Sequence, residues 1–173
     1  MPLRIINNGY TIQVNTPPDN RLLIAGKAYA LQQFHFHHPS EHLLAGKAFD
    51  LECHFVHKAT DGGLAVLGVF IRPGAANASL TPVWQAMPTA AGPEKTVSGV
   101  TVDIAGLLPK QRAYYRYFGS LTTPPCSEGI VWTVFQSPVH ASPEQIRHFA
   151  ALFPMNARPV QRVNWRFLLR ANG

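Results

Sequence analysis

The sequence lacks any run of apolar residues long enough to span a bilayer. Its first ten residues, MPLRIINNGY, also lack the continuous apolar stretch of a signal peptide. We therefore expect no membrane partner and no signal peptide in this chain. Cysteine is scarce as well, because only Cys53 and Cys126 are present. Two cysteines cannot build a disulfide framework, and neither has a second cysteine at metal-binding spacing.

Acidic residues are few. The chain has 9 Asp and Glu against 15 Lys and Arg, and charged residues make up only 14% of it. The formal net charge of +6 therefore reflects missing acids more than clustered bases. A nucleic-acid-binding domain gathers its cations into a stripe or patch, so we expect no nucleic-acid partner. The cations here are scattered singly, except for four arginines near the end: Arg158, Arg162, Arg166 and Arg170.

The apolar content suits one core, and the chain is broken at short intervals. At 173 residues and 46% hydrophobic, it is expected to form a single domain over 1–173. Fifteen prolines and thirteen glycines favour short strands over long helices, so the predicted fold is mainly β with a few short helices. Apolar runs of strand length lie at 11–15, 21–26, 30–37, 49–58, 64–71 and 129–136. The predicted helices are 142–153, with a capping box formed by Ser142 and Gln145, and a shorter one near 79–87.

Four of the eight histidines fall within LQQFHFHHPSEHLL, residues 31–44. Residues two apart in a strand share a face, so His35 and His37 project to one side of the predicted sheet. The next strand carries His54, and three imidazoles converge if the two faces align. Three histidines without a fourth protein ligand are typical of an open zinc site that holds water, whereas a structural zinc site has four ligands.

Polar residues accompany these histidines. Gln33 and Glu52 stand two positions before His35 and His54, where they can accept the second ring N–H and fix each tautomer. A lone histidine in a strand is usually a packed or surface residue, so the zinc hypothesis depends on the three histidines meeting at one point. A cupin-type metal site would need a carboxylate and a distant fourth ligand in another spacing. Structural or hydrogen-bonding roles are expected for His38, His42 and His57.

Two stretches resemble the α-class carbonic anhydrases, the bacterial branch in particular. QFHFHHPSEHLLAGKAFDLECHFVH is similar to the zinc-site segment, and YFGSLTTPPCSEGIVWTV to the active-site loop and following strand. With the weaker matches NNGYTIQVN, LAVLGVFI and NARPVQ, the similarity covers essentially the whole chain. The resemblance implies a central twisted, mostly antiparallel sheet. It also implies an enzyme in which zinc-bound hydroxide reversibly hydrates carbon dioxide to bicarbonate and a proton, with sulfonamides and anions as inhibitors.

The resemblance also implies roles for individual residues. Thr122 matches the threonine that accepts a hydrogen bond from the hydroxide and donates its own proton to Glu41, and Thr123 is its neighbour in the pocket. A hydroxyl that must donate to Glu41 can only accept from the hydroxide, which orients the nucleophile. The implied zinc ligands and their partners are His35, His37, His54, Gln33, Glu52 and Asn156, whose backbone supports His37. The implied apolar wall for carbon dioxide is Val56, Val66, Leu121, Ile130 and Trp132.

The sequence departs from the family pattern in two ways. The segment that usually precedes the NNG element is missing, so we expect an N-terminally truncated member whose uncovered apolar surface favours a homodimer. The alternative function is a non-catalytic zinc-binding domain inactivated by this truncation. The second departure is Tyr10, at the position of the family's proton-shuttle histidine. Bacterial relatives are commonly exported, so we expect a periplasmic or secreted protein.

Tyrosine side chains titrate at about pH 10 and are poor proton shuttles at neutral pH. We therefore expect slower turnover than in full-length relatives, together with a gain from Tyr10→His and from an imidazole-type buffer. Stopped-flow hydration kinetics measure both effects. If neither change raises the rate, the shuttle argument is wrong.

Overall fold

The computed structural model describes residues 1–172, which form eleven strands, two short α-helices and one 3₁₀ turn. The first strands are β1 (Pro2–Asn7), β2 (Ile12–Asn15), β3 (Arg21–Ile24), β4 (Lys27–His37), β5 (Leu51–Lys58) and β6 (Leu64–Pro73). They are followed by α1 (Thr81–Ala86), β7 (Lys95–Thr101), the 3₁₀ turn (Ala105–Leu107), β8 (Tyr114–Ser120), β9 (Glu128–Phe135), β10 (Val139–Ala141), α2 (Pro143–Leu152) and β11 (Leu169–Ala171).

All the strands belong to one sheet. Its order is β11-β8-β9-β6-β5-β4-β2-β1-β7, with β3 added to β4 and β10 added to β6. Only the pairs β6–β9 and β6–β10 are parallel among the described residues. The prediction of a mainly β fold with a mostly antiparallel sheet is confirmed.

Both helices lie where the sequence predicts them. Ser142 Oγ accepts the N–H of Gln145, whose side-chain oxygen accepts the N–H of Ser142, so the predicted capping box is present. The Trp84 indole in α1 donates to the carbonyl oxygen of Gln145 and ties the two helices together. Within residues 1–172, no helix is long and apolar enough to cross a membrane.

The two faces of β4 differ in what covers them. Phe34 and Phe36 are fully buried, and the Phe36 ring lies 4.7 Å from Trp84 and 5.9 Å from Phe149, so this face packs against the helices. Because side chains alternate along a strand, the polar side chains between these phenylalanines lie on the opposite face of β4. The candidate site lies on that opposite face.

Five strands of the structure are not predicted by the apolar runs in the sequence: β1, β7, β8, β10 and β11. Two of them, β7 and β11, form the edges of the sheet, and most of their residues are exposed or half-buried. A strand with so little burial has no apolar run to reveal it. The sequence signal for a strand is stronger in β1, where the apolar residues Leu3 and Ile5 are fully buried and alternate with more exposed neighbours.

Candidate metal centre

Three histidines converge on the open face of the sheet. The antiparallel register of β4 and β5 sets His35 directly opposite His54, and His37 lies two residues along β4. The ring centroids are 5.0 Å apart for His35 and His37, 5.3 Å for His35 and His54, and 4.5 Å for His37 and His54. One ring nitrogen from each residue lies within 4.8 Å of the other two.

Each ring uses its other nitrogen in a hydrogen bond. The three contacts are His35 Nδ1 to Gln33 Oε1 at 2.8 Å, His37 Nδ1 to the Asn156 carbonyl oxygen at 3.3 Å, and His54 Nε2 to Glu52 Oε1 at 3.0 Å. All three partners are acceptors, so each of these nitrogens carries the proton and the remaining nitrogen carries a lone pair. The lone pairs therefore belong to Nε2 of His35, Nε2 of His37 and Nδ1 of His54.

These residues fit a metal cation. His37 Nε2 is buried without a hydrogen-bond partner among residues 1–172, and a buried polar atom in that state calls for an explanation. Burial, followed by the neighbouring His37 and His54, lowers the pKa of His35 well below its ordinary value. Burial and His54 lower the pKa of His37 to about 4. The two rings are therefore neutral at pH 7, as metal ligands must be, and imidazole donors suit zinc among other transition metals.

Glu52 is the hydrogen-bonding centre beneath the histidines. Its carboxylate is fully buried: Oε1 accepts from His54 and from His42 Nδ1 at 2.7 Å, and Oε2 accepts the N–H groups of Glu41 and His42 at 2.9 Å each. Burial by itself raises the pKa of Glu52, but the electrostatic effect and the hydrogen bonds of His42 and His54 outweigh burial and hold that pKa well below its usual range. On the neighbouring strand, a Cβ added to Gly68 would lie 2.8 Å from Oε1, so the carboxylate needs glycine there.

A second trio, His42, Glu52 and His54, is also close enough to hold an ion. Its facing nitrogens already donate to Glu52 Oε1, so we assign it to the hydrogen-bond network. Burial by itself lowers the pKa of His42, but Glu52 outweighs that effect and raises it. His42 Nε2 lies 2.6 Å from the Tyr117 hydroxyl oxygen, and the Tyr117 ring stacks on Trp132.

Sequence reasoning missed Tyr117 and gave His42 only a general hydrogen-bonding role. His38 and His57, placed in the same group, contact the carbonyl oxygens of Pro154 and Phe55. Tyr117 stands opposite Trp132 in the β8–β9 register. Its place in the site could have been predicted only if β8 had been recognised as a strand.

Glu41 lies beside the cluster, but the expected contact with Thr122 is not formed. Glu41 Oε1 accepts the backbone N–H of Arg158 at 2.7 Å, a contact that the sequence did not suggest. Its Oε2 lies 3.8 Å from His54 Nδ1 and has no hydrogen-bond partner in the described part of the chain. Thr122 is half-buried in the loop between β8 and β9.

An apolar cluster borders the histidines. Val66, Ile130 and Trp132 are buried, Val56 and Leu121 pack against them, and the Trp132 ring lies 4.8 Å from that of His54. The structure thus brings together the five residues expected to form the apolar wall. Two other expected site residues are exposed: Thr123 and Tyr10. The carbonyl oxygen of Tyr10 accepts a hydrogen bond from Asn156 Nδ2, which places its backbone close to the support of His37.

Replacing Glu52 by Gln should weaken metal binding by about 10- to 100-fold, because an amide cannot accept from both histidines while keeping its other contacts. Competition with a chromophoric chelator measures the affinity. Glu128→Gln, on an exposed strand position, is the matched control. Equal affinities for the two variants would show that Glu52 does not set the His54 tautomer.

The metal-free protein should lose stability as the pH falls from about 6.5 towards 4. The pKa of His37 is lowered to about 4 in the folded state. Because the unfolded chain therefore binds more protons across this window, the free energy of unfolding decreases as the pH is lowered. The contribution approaches about 1.4 kcal/mol per pH unit for one group. His37→Gln should reduce that slope in urea titrations of chelator-treated protein, whereas exposed His148→Gln should not. An unchanged slope in His37→Gln would contradict the assignment.

The comparisons with known proteins agree with this geometry. The family model for eukaryotic-type carbonic anhydrase matches residues 1–172. The chain is 47% identical over 169 residues to a carbonic anhydrase of Nostoc sp. and 49% identical over 167 residues to one of Pectobacterium carotovorum. These matches cover 98% and 96% of this chain but only 64% and 68% of the relatives.

Among solved structures, the α-carbonic anhydrase from Thermovibrio ammonificans in complex with the inhibitor sulfanilamide aligns with a TM-score of 0.92 and 43% identity. That alignment covers 97% of this chain and 78% of the other. Fold, sequence and the convergence of the three histidines agree, and the chain belongs to the α-class carbonic anhydrase family.

Proposed function

We propose that this protein hydrates carbon dioxide reversibly to bicarbonate and a proton, with zinc held by His35, His37 and His54. The observation that carries the proposal is the convergence of three imidazoles, each with its second nitrogen engaged by an acceptor. Family membership supports the same reaction. Zinc bound by three histidines lowers the pKa of its water ligand to about 7 and so supplies hydroxide at neutral pH.

Thr122 and Glu41 orient the nucleophile in this proposal. Glu41 Oε2 is buried without a hydrogen-bond partner, so it is free to accept a hydrogen bond from the Thr122 hydroxyl, a contact that the active site would have to form. Its Oε1 is held by the backbone N–H of Arg158, which limits rotation of the carboxylate. Once Thr122 donates to Glu41, its oxygen can only accept, and the nucleophile must turn a lone pair towards the substrate.

The apolar cluster provides the substrate pocket. Carbon dioxide carries no charge and gains little from polar partners, so an aliphatic wall beside the metal holds it without competing for the ligands. Val56 and Val66 are direct cross-strand partners on the histidine-bearing face, and Trp132 closes the cluster next to His54. Thr123, an exposed residue next to Thr122 in the same loop, completes the proposed site.

The remaining expectations stay predictions. Tyr10, at the position of the family's proton-shuttle histidine, is the basis for proposing slow proton return, and hence turnover below that of relatives with the histidine. Inhibition by sulfonamides is proposed because the aligned Thermovibrio ammonificans protein binds sulfanilamide. A periplasmic or secreted location and a homodimer rest on the sequence alone.

Stopped-flow hydration with zinc-loaded protein tests the function. We expect zinc-dependent turnover that a sulfonamide abolishes, and a fall in kcat/KM of about 100-fold in Thr122→Ala with unchanged zinc affinity. Ser127→Ala, an exposed hydroxyl in the same loop, is the matched control and should retain full activity.

Two results would reject parts of this proposal. Tight zinc binding without turnover would favour the alternative function, a non-catalytic zinc-binding domain. Equal activities for Thr122→Ala and Ser127→Ala would remove Thr122 from the mechanism while leaving the zinc assignment intact.

A further inference from the structure

Two threonine hydroxyls flank β2, and both reach across to β4. Thr11 lies one residue before β2 and donates from Oγ1 to the Phe36 carbonyl oxygen at 2.6 Å. Thr16 lies one residue after β2 and donates from Oγ1 to the Leu31 carbonyl oxygen at 3.0 Å. Both threonines are buried. The two contacts are alike in chemistry, but they hold different parts of β4.

The Thr11 hydroxyl engages both backbone polar groups of Phe36. Besides donating to the carbonyl oxygen, Oγ1 accepts the Phe36 N–H at 3.2 Å. The carbonyl oxygen of Ile12 is farther from Oγ1, at 3.3 Å, so the single hydroxyl proton goes to Phe36. The register of β2 on β4 ends with Gln13 opposite His35, and the hydroxyl continues the pairing at the next residue of β4.

Phe36 stands between two of the three histidines of the metal centre. Its N–H belongs to the peptide plane that follows His35, and its carbonyl group belongs to the peptide plane that precedes His37. Peptide bonds are planar, so a group that fixes both planes also fixes the directions in which the two imidazoles leave the backbone. The Thr11 hydroxyl contacts both planes.

Thr11 is itself held in place. Asn8 Oδ1 accepts the N–H groups of Tyr10 and Thr11 at 2.9 Å each, and the Asn8 N–H donates to the Thr11 carbonyl oxygen at 3.2 Å. These bonds close the turn that leads into β2. Threonine is also branched at Cβ, which restricts rotation about χ1. The hydroxyl is therefore presented to Phe36 by a fixed backbone and in few side-chain orientations.

A second side chain reaches the same carbonyl group but cannot replace Thr11. Asn156 Nδ2 donates to the Phe36 carbonyl oxygen at 3.1 Å, so this oxygen accepts two hydrogen bonds. An amide nitrogen cannot accept a hydrogen bond, so the Phe36 N–H depends on the Thr11 hydroxyl. A buried N–H without an acceptor is unfavourable and would favour movement of this part of β4.

We propose that Thr11 is a positioning residue of the metal centre, and that its hydroxyl holds the backbone between His35 and His37 in the geometry that metal binding requires. Thr11 acts through the Phe36 peptide groups rather than by touching the ion. The inference rests on the proposed metal site of the three histidines, but it does not depend on the reaction carried out there.

Thr11→Val tests the proposal, because valine keeps the shape of the side chain and removes the hydroxyl. We expect the zinc affinity to fall about tenfold, the lower end of the effect of groups that orient metal ligands. Competition with a chromophoric chelator measures this affinity. The visible absorption of the cobalt(II)-loaded protein reports the coordination geometry and should change as well. Thr11→Ser keeps the hydroxyl and should restore both the zinc affinity and the cobalt spectrum.

Thr16→Val is the matched control. It removes a buried hydroxyl that makes the same kind of bond to β4, but its partner Leu31 does not adjoin a ligand. Both valine variants should lower the free energy of unfolding of the metal-free protein in urea. Only Thr11→Val should also weaken zinc binding and change the cobalt spectrum, a separation that a purely structural role of Thr11 would not produce.

Equal zinc affinities for Thr11→Val and Thr16→Val would overturn the proposal and confine Thr11 to stabilising the fold. Equal weakening in Thr11→Ser and Thr11→Val would also overturn it, because packing rather than the hydroxyl would then be responsible. If Thr11→Val does not fold, Thr11→Ala takes its place, and equal affinities for the alanine and serine variants contradict the proposal.

Carbon dioxide hydration plays no part in these measurements. Zinc binding without turnover would reject the proposed reaction and leave the role of Thr11 standing. Failure of the unaltered protein to bind zinc would overturn both the metal assignment and the role of Thr11.

Discussion

The antiparallel register that sets His35 opposite His54 is the constraint on which the rest of the structure depends. A slip of one residue between β4 and β5 would turn one strand's histidines to the helix-covered side, because side chains alternate between faces. The large aromatic core fixes this register. Phe34 and Phe55 are cross-strand partners buried on the opposite face, and exposing them would cost several kcal/mol.

The polar side of the sheet is ordered in a different way. Glu52 is a buried carboxylate whose burial is unfavourable by itself, and it is kept ionised by four hydrogen-bond donors, two of which are the side chains of His42 and His54. Loss of any one hydrogen bond would leave a buried polar group unpaired, which is unfavourable, so the network holds the histidine rings in fixed orientations. Rigidity here serves the site, since ligand rings must be pre-oriented before a metal arrives.

Stability and function therefore depend on different residues of the same strands. The phenylalanines of β4 stabilise the fold through apolar burial, while the histidines between them carry the chemistry and cost free energy in the metal-free state. The lone pair of His37 Nε2, buried without a partner, is the clearest sign of that cost. A bound cation would satisfy it, which couples metal binding to folding.

Local periodicity in the sequence determined the six predicted strands, the capped helix at 142–153 and the shared face of His35 and His37, because each is encoded within a few neighbouring residues. Tertiary structure decided what joins distant segments. Asn156 reaches His37 across 119 residues, and Tyr117 meets His42 across 75. It also decided that Glu41 faces Arg158. Such contacts depend on how the whole chain closes around its core, which no local pattern records.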